Sequence, residues 1–470
     1  MKYDISKKVA PAMPPLGKGT ECIKLLLSQV SKDMQEPLVP MLFPVLGAHV
    51  SGSEFQYPDL SWKEMCGQMA NLVAGSGDNK GQLTLLVNAI NRKFNEHDKE
   101  EFDRLKEWSR QIKTKGANKE KPERPEVCIW APPANVTAAA FLQNAIALEN
   151  QGGRSQYLNL PEVEMADSIC GGHKQVSHLL RNIYDRAQAG ALRATADGVS
   201  GNPVLRVNMT LSSTPGPARK FYKNELFNGT FGRMVFSYKV RGKRSGKIPR
   251  VGQFDEEFCE KLDGYLERLD GNKGRFIIRP LNRLTDRLAE DMATLADLTD
   301  DDVLFEVSHR ALVSAWKAGC VMWIMNGQTW TKAMGELVEW LVYHDLWSKM
   351  QLFADMLNVG ADSLTEAQRR GPKNMLDSLP DHFNEAQLEA LRVQLGKSKE
   401  GANKQLNVWK NRGFIEYSAQ TGLYSKTQEY LGSRVQDAAL VQKGSCAPVG
   451  AQASKLGTSR YAGSKRLNHD

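Results

Sequence analysis

Residues 71–90 read NLVAGSGDNKGQLTLLVNAI: an apolar lead-in, a small turn-prone knot with one lysine, then an amphipathic run. That order asks for a strand, a tight loop and a helix. Such a loop can aim backbone amides and a helix N-terminus at an anion. The phosphate-loop pattern G-x-x-x-x-G-K-[ST] wants glycine at its first and sixth places and a hydroxyl after the lysine. Counted back from Lys80, the first place is Ala74, the sixth is Asn79, and Gly81 follows the lysine. Gly75, Gly77 and Gly81 supply freedom, Lys80 supplies charge, and asparagine tolerates the left-handed backbone region better than most residues. The hydroxyl that would hold Mg²⁺ is missing. Two readings stand: a divergent nucleotide site built from Gly75, Ser76, Gly77, Asp78, Asn79, Lys80, Gly81 and Gln82, or a plain strand–turn–helix corner.

The flanking chain bears on the choice. EVCIWAPP, SQYLNLPE and VLRVNMTLSSTP read as strands, with helical spacing in NVTAAAFLQNAIALEN and HKQVSHLLRNIYDRAQAG between them; GRMVFSYKVRG reads as a further strand. Alternating strands and helices imply a mainly parallel sheet covered on both faces. A nucleotide hydrolase needs an acid at one strand end and polar and cationic groups on later strands. QYLNLPEVE ends with Glu162, with proline where an aspartate is usual, and Glu164 stands two residues on. VNMTLSSTP ends with Ser213 and Thr214, suited to sensing a γ-phosphate, and FNGTFGRM places Arg233 where a finger reaches a neighbouring subunit's nucleotide. This order fits a RecA-like core that binds ATP and Mg²⁺ and works as a homo-oligomer, with a ring the natural form.

Those segments resemble the family catalogued as domain of unknown function 3987. Its members are helicase-like P-loop proteins of mobile genetic elements, often encoded beside a CHC2 zinc-finger primase. VAGSGDNKGQL resembles that family's loop, which has Lys-Gly where Lys-Ser/Thr is expected. NLPEVEMADSICGG resembles its Asp-Glu-Leu strand end with the aspartate lost, LSSTP its sensor strand, and LFNGTFGRMVFSY its Gly-x-x-x-Arg segment. The resemblance runs from about residue 20 to about residue 380. It implies an ATP-driven motor serving replication or transfer of a mobile element, with a primase as a possible partner.

Beyond residue 255 the pattern becomes nearly all helix, and the aromatic stretch 303–357, with Trp316, Met322, Trp323, Met325, Trp330 and Trp340, reads as bundle core. Residues 381–431 read as a winged helix-turn-helix. NEAQLEALRVQL is capped by Asn384 with Gln387 in capping-box position. GANKQLNVWKNRG is a second helix stopped by Gly413, and FIEY-SAQTG-LYSKT is a hairpin. Lys399, Lys404, Lys410 and Arg412 suit duplex phosphates, although winged helices also serve as protein docking pieces. Gly171, Gly172, His173 and Lys174 follow the acidic strand, where a loop touching single-stranded DNA is expected; an ordinary surface loop is the plain alternative. His173 and His178, five apart, make a poor metal pair. The cation-rich KVRGKRSGKIPR, residues 239–250, is a phosphate-tracking stretch or a solvated hairpin.

The totals bound the rest. The 470 residues carry +8 at 41% hydrophobic and 25% charged, which suits a globular protein of two or three domains. No apolar stretch reaches the roughly 18 residues of a membrane span. The N-terminus lacks an apolar h-region, and seven scattered cysteines without C-x-x-C spacing suit a reduced cytoplasm. Residues 433–470 hold six Lys/Arg against Asp437 and Asp470 and form a basic tail expected to be disordered. The expected architecture is α/β: an N-terminal helical segment (1–50), a RecA-like P-loop core with a parallel sheet (51–255), a helical domain (256–380), a winged helix (381–432) and the tail. The competing reading is a non-hydrolysing DNA-binding adaptor with a decayed nucleotide core that recruits a primase or recombinase. A regulator that binds nucleotide without turnover is a third.

Overall fold

The computed structural model describes residues 3, 5, 7–114, 122–169, 176–192, 199–223, 225–226, 229–241, 251–252, 254–299, 302–362, 375–411, 413–428 and 430–431. Among the described residues the strands are β1 Ser53–Gln56, β2 Trp62–Glu64, β3 Met69–Val73, β4 Gln156–Leu160, β5 Val207–Ser213, β6 Val235–Tyr238, β7 Gly274–Phe276, β8 His382–Phe383, β9 Ile415–Ser418 and β10 Leu423–Lys426. The central sheet has the order β4-β5-β3-β6, and all three of its pairings are parallel. The fold is mixed α/β, as the alternation of strand and helix patterns implies.

Every residue of β3 and β5 is buried, so each polar side chain there must find a partner. The Asn208 carboxamide accepts from the Gln68 amide and donates to the Met65 carbonyl, both at 2.9 Å. Ser213 donates to Asn71 Oδ1 at 3.1 Å, and Asn71 Nδ2 donates to the Tyr222 hydroxyl. These bonds tie β5 to β3 in register, Met69 opposite Met209 and Val73 opposite Ser213.

Two side chains seal the outer edge of β6. The Phe236 amide donates to Asp345 Oδ1 at 2.7 Å, and the Tyr238 amide donates to Ser348 Oγ at 3.1 Å. Both acceptors lie on the helix Lys332–Asp362, three residues apart, facing amides two apart on the strand. An exposed ladder edge is thereby closed to other chains. Asp345 also takes the buried Lys349 ammonium at 2.7 Å.

EVCIWAPP corrects an expectation, because residues 126–133 form no strand and bend at Trp130 and Ala131. Its amides go instead to side chains: Cys128 to Glu101, Ile129 to Asn144, Trp130 and Ala131 to Asp98. A single backbone bond, from the Tyr157 amide to the Trp130 carbonyl, reaches toward β4. Three acceptor side chains, Glu101, Asn144 and Asp98, outcompete the ladder for these amides. A second sheet, β2-β1-β7, has no counterpart in the sequence reading.

One large apolar core draws on residues from Ile5 to Leu357 and takes in the sheet, the N-terminal helices and the long C-terminal ones, while Cys128, Ala147 and Leu148 form a small cluster of their own. The helix Lys32–Ala48 packs on β3, β5 and β6 despite prolines at 37, 40 and 44. Each proline removes one helical donor, a cost the helix bears because Leu38–Ala48 is wholly buried. Trp316, Met322, Met325 and Trp340 are core residues, as their spacing implies. A separate small core holds Met375, Phe383, Leu388, Leu406, Trp409 and Ile415. It is built from the helices Met375–Ser378, Glu385–Gln394 and Ala402–Asn411 and a sheet of order β8-β10-β9. No helix among the described residues is long and apolar enough to cross a membrane.

Candidate functional site

The loop 74–81 leaves the carboxyl end of β3 and runs into the helix Gln82–Ile90, whose Leu83, Leu86, Val87 and Ile90 are buried. Its first residue is anchored, since the Ala74 amide donates to the Ser213 carbonyl at 3.1 Å. Gly77 and Asn79 then take positive φ, 81° and 60°, so Asn79 has the conformation expected at its place. The amides of Gly75, Ser76, Gly77, Asn79, Lys80 and Gly81 meet no acceptor among the described residues. Lys80 folds over them, its Nζ 3.1 Å from the Ala74 carbonyl and 3.3 Å from that of Gly75. Open amides under one ammonium, at a sheet's carboxyl edge, form a cradle for an anion.

Gly75 leaves room for the Asp78 carboxylate, since a Cβ there would stand 2.5 Å from Asp78 Oδ2 and push that side chain aside. That oxygen is itself buried and has no hydrogen-bond partner among the described residues. A buried acceptor without a donor costs free energy unless a ligand or cation completes it. The residues therefore fit a phosphate group, through the amides and Lys80, and offer Asp78 as a carboxylate for an accompanying cation.

One expected site residue turns elsewhere. The Gln82 carboxamide oxygen accepts from the Ser31 amide at 2.9 Å, so the side chain ties the helix start to the N-terminal segment. A residue missed by the motif takes a place at the loop. Lys239, just after β6, puts Nζ 2.5 Å from Asp33 Oδ2 and 3.3 Å from the Asp78 carbonyl, and is nearly buried. Its amide donates to the Val73 carbonyl at 2.9 Å. Only the sheet order, with β6 beside β3, brings it there; cation density in 239–250 was the sole signal.

The other strand ends lie on the same edge. Thr214 follows β5 and caps the helix Pro215–Tyr222 without a side-chain cap bond. Glu162 follows β4, exposed at the start of a single 3₁₀ turn. With β5 between β4 and β3, Glu162 stands two strand spacings, roughly 10 Å, from the loop strand. Thr214 follows the strand that lies between them.

Arg233 lies on the opposite edge. It ends the short helix Thr230–Arg233 before β6, and Val235 pairs with Ala70, four residues before Ala74. About 13 Å of strand separates it from its own loop. Its guanidinium holds Asp185 at 2.7 Å and the Gly229 carbonyl at 2.8 Å, beside the Tyr184 ring that Arg310 and Lys317 also flank. It cannot serve its own protomer's loop.

In the small C-terminal core, Lys399, Lys404 and Lys410 are exposed, while Leu406 and Trp409 are buried as expected of anchors. The capping box of Asn384 and Gln387 is formed, with both bonds under 3 Å. Lys174 and Arg412 lie outside the described residues, as do Gly171, Gly172, His173, residues 242–250 and the tail 433–470. Among the described residues no cluster of His, Cys, Asp and Glu is arranged to hold a metal ion.

No family model matches the chain, and no curated protein does. Among solved structures, the ORC2 protein of Aeropyrum pernix in its ADP form is similar at 12% identity, with 94% of this chain and 98% of that chain covered and a TM-score of 0.16.

Proposed function

We propose that this chain is a nucleotide-dependent DNA-binding protein with a RecA-like P-loop core, an ATP-driven, helicase-like motor of a mobile element. The observation that carries the reading is the cradle: six open amides under Lys80, on the same sheet edge as Thr214 and Glu162. The resemblance to the domain of unknown function 3987 family supports the mobile-element setting. The C-terminal order of helices and three-stranded sheet supports a winged helix, with exposed lysines suited to duplex phosphates.

When bound, ATP with Mg²⁺ supplies the transferable phosphoryl group and the cation that neutralises its charge. The chain's own residues do the rest. Lys80 exchanges its two carbonyl contacts for phosphate oxygens, and the loop amides fix the anion's position. Asp78 offers the carboxylate that replaces the missing loop hydroxyl. Glu162 orients a water across the gap, and Thr214 donates to the terminal phosphate. Arg233 leaves Asp185 to reach a neighbouring protomer's site, which requires an oligomer, in our reading a ring.

A second reading has support of its own. Gly81 stands where a hydroxyl is expected and Pro161 where an aspartate is, which favours an adaptor that binds DNA and a primase without turnover. Measuring ATP hydrolysis with and without single-stranded DNA separates the two. The motor reading expects turnover that DNA stimulates and Glu162→Gln removes; no turnover under either condition leaves the adaptor.

A further inference from the structure

The helix Ala402–Asn411 has a division of faces that helix stability does not account for. Ala402, Gln405, Leu406 and Trp409 are buried, while Asn403, Lys404, Asn407, Lys410 and Asn411 are exposed. At 3.6 residues per turn the five exposed positions fall within a stripe about 120° wide. Lys410 and Lys404 lie at its two margins, and the three asparagines fill its middle. No hydrogen bond or ion pair to a described residue engages any of the three asparagine side chains or Lys404. Asparagine is a poor helix former, and solvated helix faces are better served by Lys, Glu or Gln. Three of them on one exposed stripe, with no acid and no apolar residue among them, present a row of uncommitted carboxamides to solvent.

The supporting structure is rigid. Arg392, fully buried, donates through Nε to the Ser398 carbonyl at 2.8 Å and through Nη1 to Gln405 Oε1, which locks the turn to the helix. Gly413, at φ 72°, and the bond from the Phe414 amide to the Trp409 carbonyl end it. A stripe of this width is held at fixed orientation on a small packed core, the condition for reading a groove.

We infer that this helix reads sequence in duplex DNA: Asn403 and Asn407 contact adenine edges in the major groove, and Lys404 and Lys410 grip the phosphates on either side. The chemistry is specific, because a carboxamide pairs bidentately with adenine N6 and N7, and no other base presents that donor–acceptor pair in the groove. Lysines at the margins of the stripe are placed for the backbones that flank the groove. The inference rests on the reading that this module contacts duplex DNA and adds to it a base preference.

The test uses the full chain and fluorescence anisotropy. Binding sites are first selected from a randomised duplex pool, and the parent, Asn403→Ala/Asn407→Ala and Lys404→Ala/Lys410→Ala are then titrated on the selected site and on a scrambled duplex across a salt series. The selected sites are expected to hold adenine at fixed positions. The asparagine pair should lose roughly tenfold or more of the preference per contact while keeping the parent's salt slope. The lysine pair should weaken both duplexes alike and flatten the slope by about two. Duplex affinity with no base preference, or a preference that survives Asn403→Ala/Asn407→Ala, overturns the inference and leaves the DNA-binding reading standing. Absence of any duplex affinity in the parent overturns both and makes the stripe a protein-docking face. Circular dichroism of each variant distinguishes lost contacts from a lost fold.

Discussion

Lys239 Nζ bridges the Asp33 carboxylate on the first long helix and the Asp78 carbonyl of the loop, from a position that leaves it nearly buried. It therefore holds the loop's backbone in its open-amide form and adds a second cation beside Lys80. Removing the ammonium while keeping the stem, as in Lys239→Met, should weaken nucleotide binding by roughly 10-fold or more, the scale of a hydrogen bond to a charged group. The global fold should persist, and equilibrium binding with matched thermal melts checks both. Unaltered affinity would make Lys239 a structural strut only. His344 gives a pH prediction. Burial pushes its imidazole down to about 3, with Ser237 Oγ at 3.2 Å and the Trp340 ring against it. A histidine depressed in the folded state contributes stability above its unfolded pKa, near 6.5, and that stability is lost as pH falls toward 3. Between pH 6.5 and 5.5 the loss should be about 1 kcal/mol from this group alone. His344→Gln should flatten that part of the profile in urea titrations at stepped pH. Asp345, whose carboxyl burial pushes up, is common to both proteins, so the difference between the two profiles isolates the imidazole.

Elements were legible where one rule governs them. Helices such as Glu256–Gly271 and Arg279–Thr299 follow their apolar spacing, and β4, β5 and β6 follow their apolar runs. EVCIWAPP misleads because its amides are taken by Asp98, Glu101 and Asn144, and a pattern in the segment itself cannot reveal partners on other helices. The sheet β2-β1-β7 escapes for a related reason: Glu54 pairs with Arg275 across 221 residues, and each strand is only three or four residues long. The sealed edge of β6 is equally invisible, yet it is open to test. Asp345→Ala strands the Lys349 ammonium in the core and orphans the Phe236 amide. A buried pair broken on one side costs about 3–5 kcal/mol. Denaturant unfolding should register a loss of that size; a change under about 1 kcal/mol would mean that water reaches the edge and replaces the carboxylate.

Across the whole molecule, the loop's strand–turn–helix course was written locally, while its neighbours were set by strand order. Placing β5 between β3 and β4 puts Thr214 and Glu162 on the loop's side, and placing β6 beyond β3 brings Lys239 in and sends Arg233 to the far edge. A motif cannot carry such information, because order in a sheet is fixed by crossovers and long-range packing. The far-edge position has a consequence for assembly. If Arg233 works between protomers, Arg233→Ala should bind nucleotide as the parent does but lose turnover by roughly 10³-fold or more. Mixing it with a Lys80→Ala chain should restore part of the activity, since one kind of interface then holds both intact groups. Strictly additive rates in the mixture would rule out the shared site. Nucleotide binding at the cradle of residues 74–81 is tested most directly by calorimetric titration of ATP into the parent and into Lys80→Ala. The parent should bind ATP, and Lys80→Ala should bind it roughly 10- to 150-fold more weakly with its melting behaviour unchanged. Equal binding by the two proteins, or none by the parent, would reduce the loop to a strand–turn–helix corner.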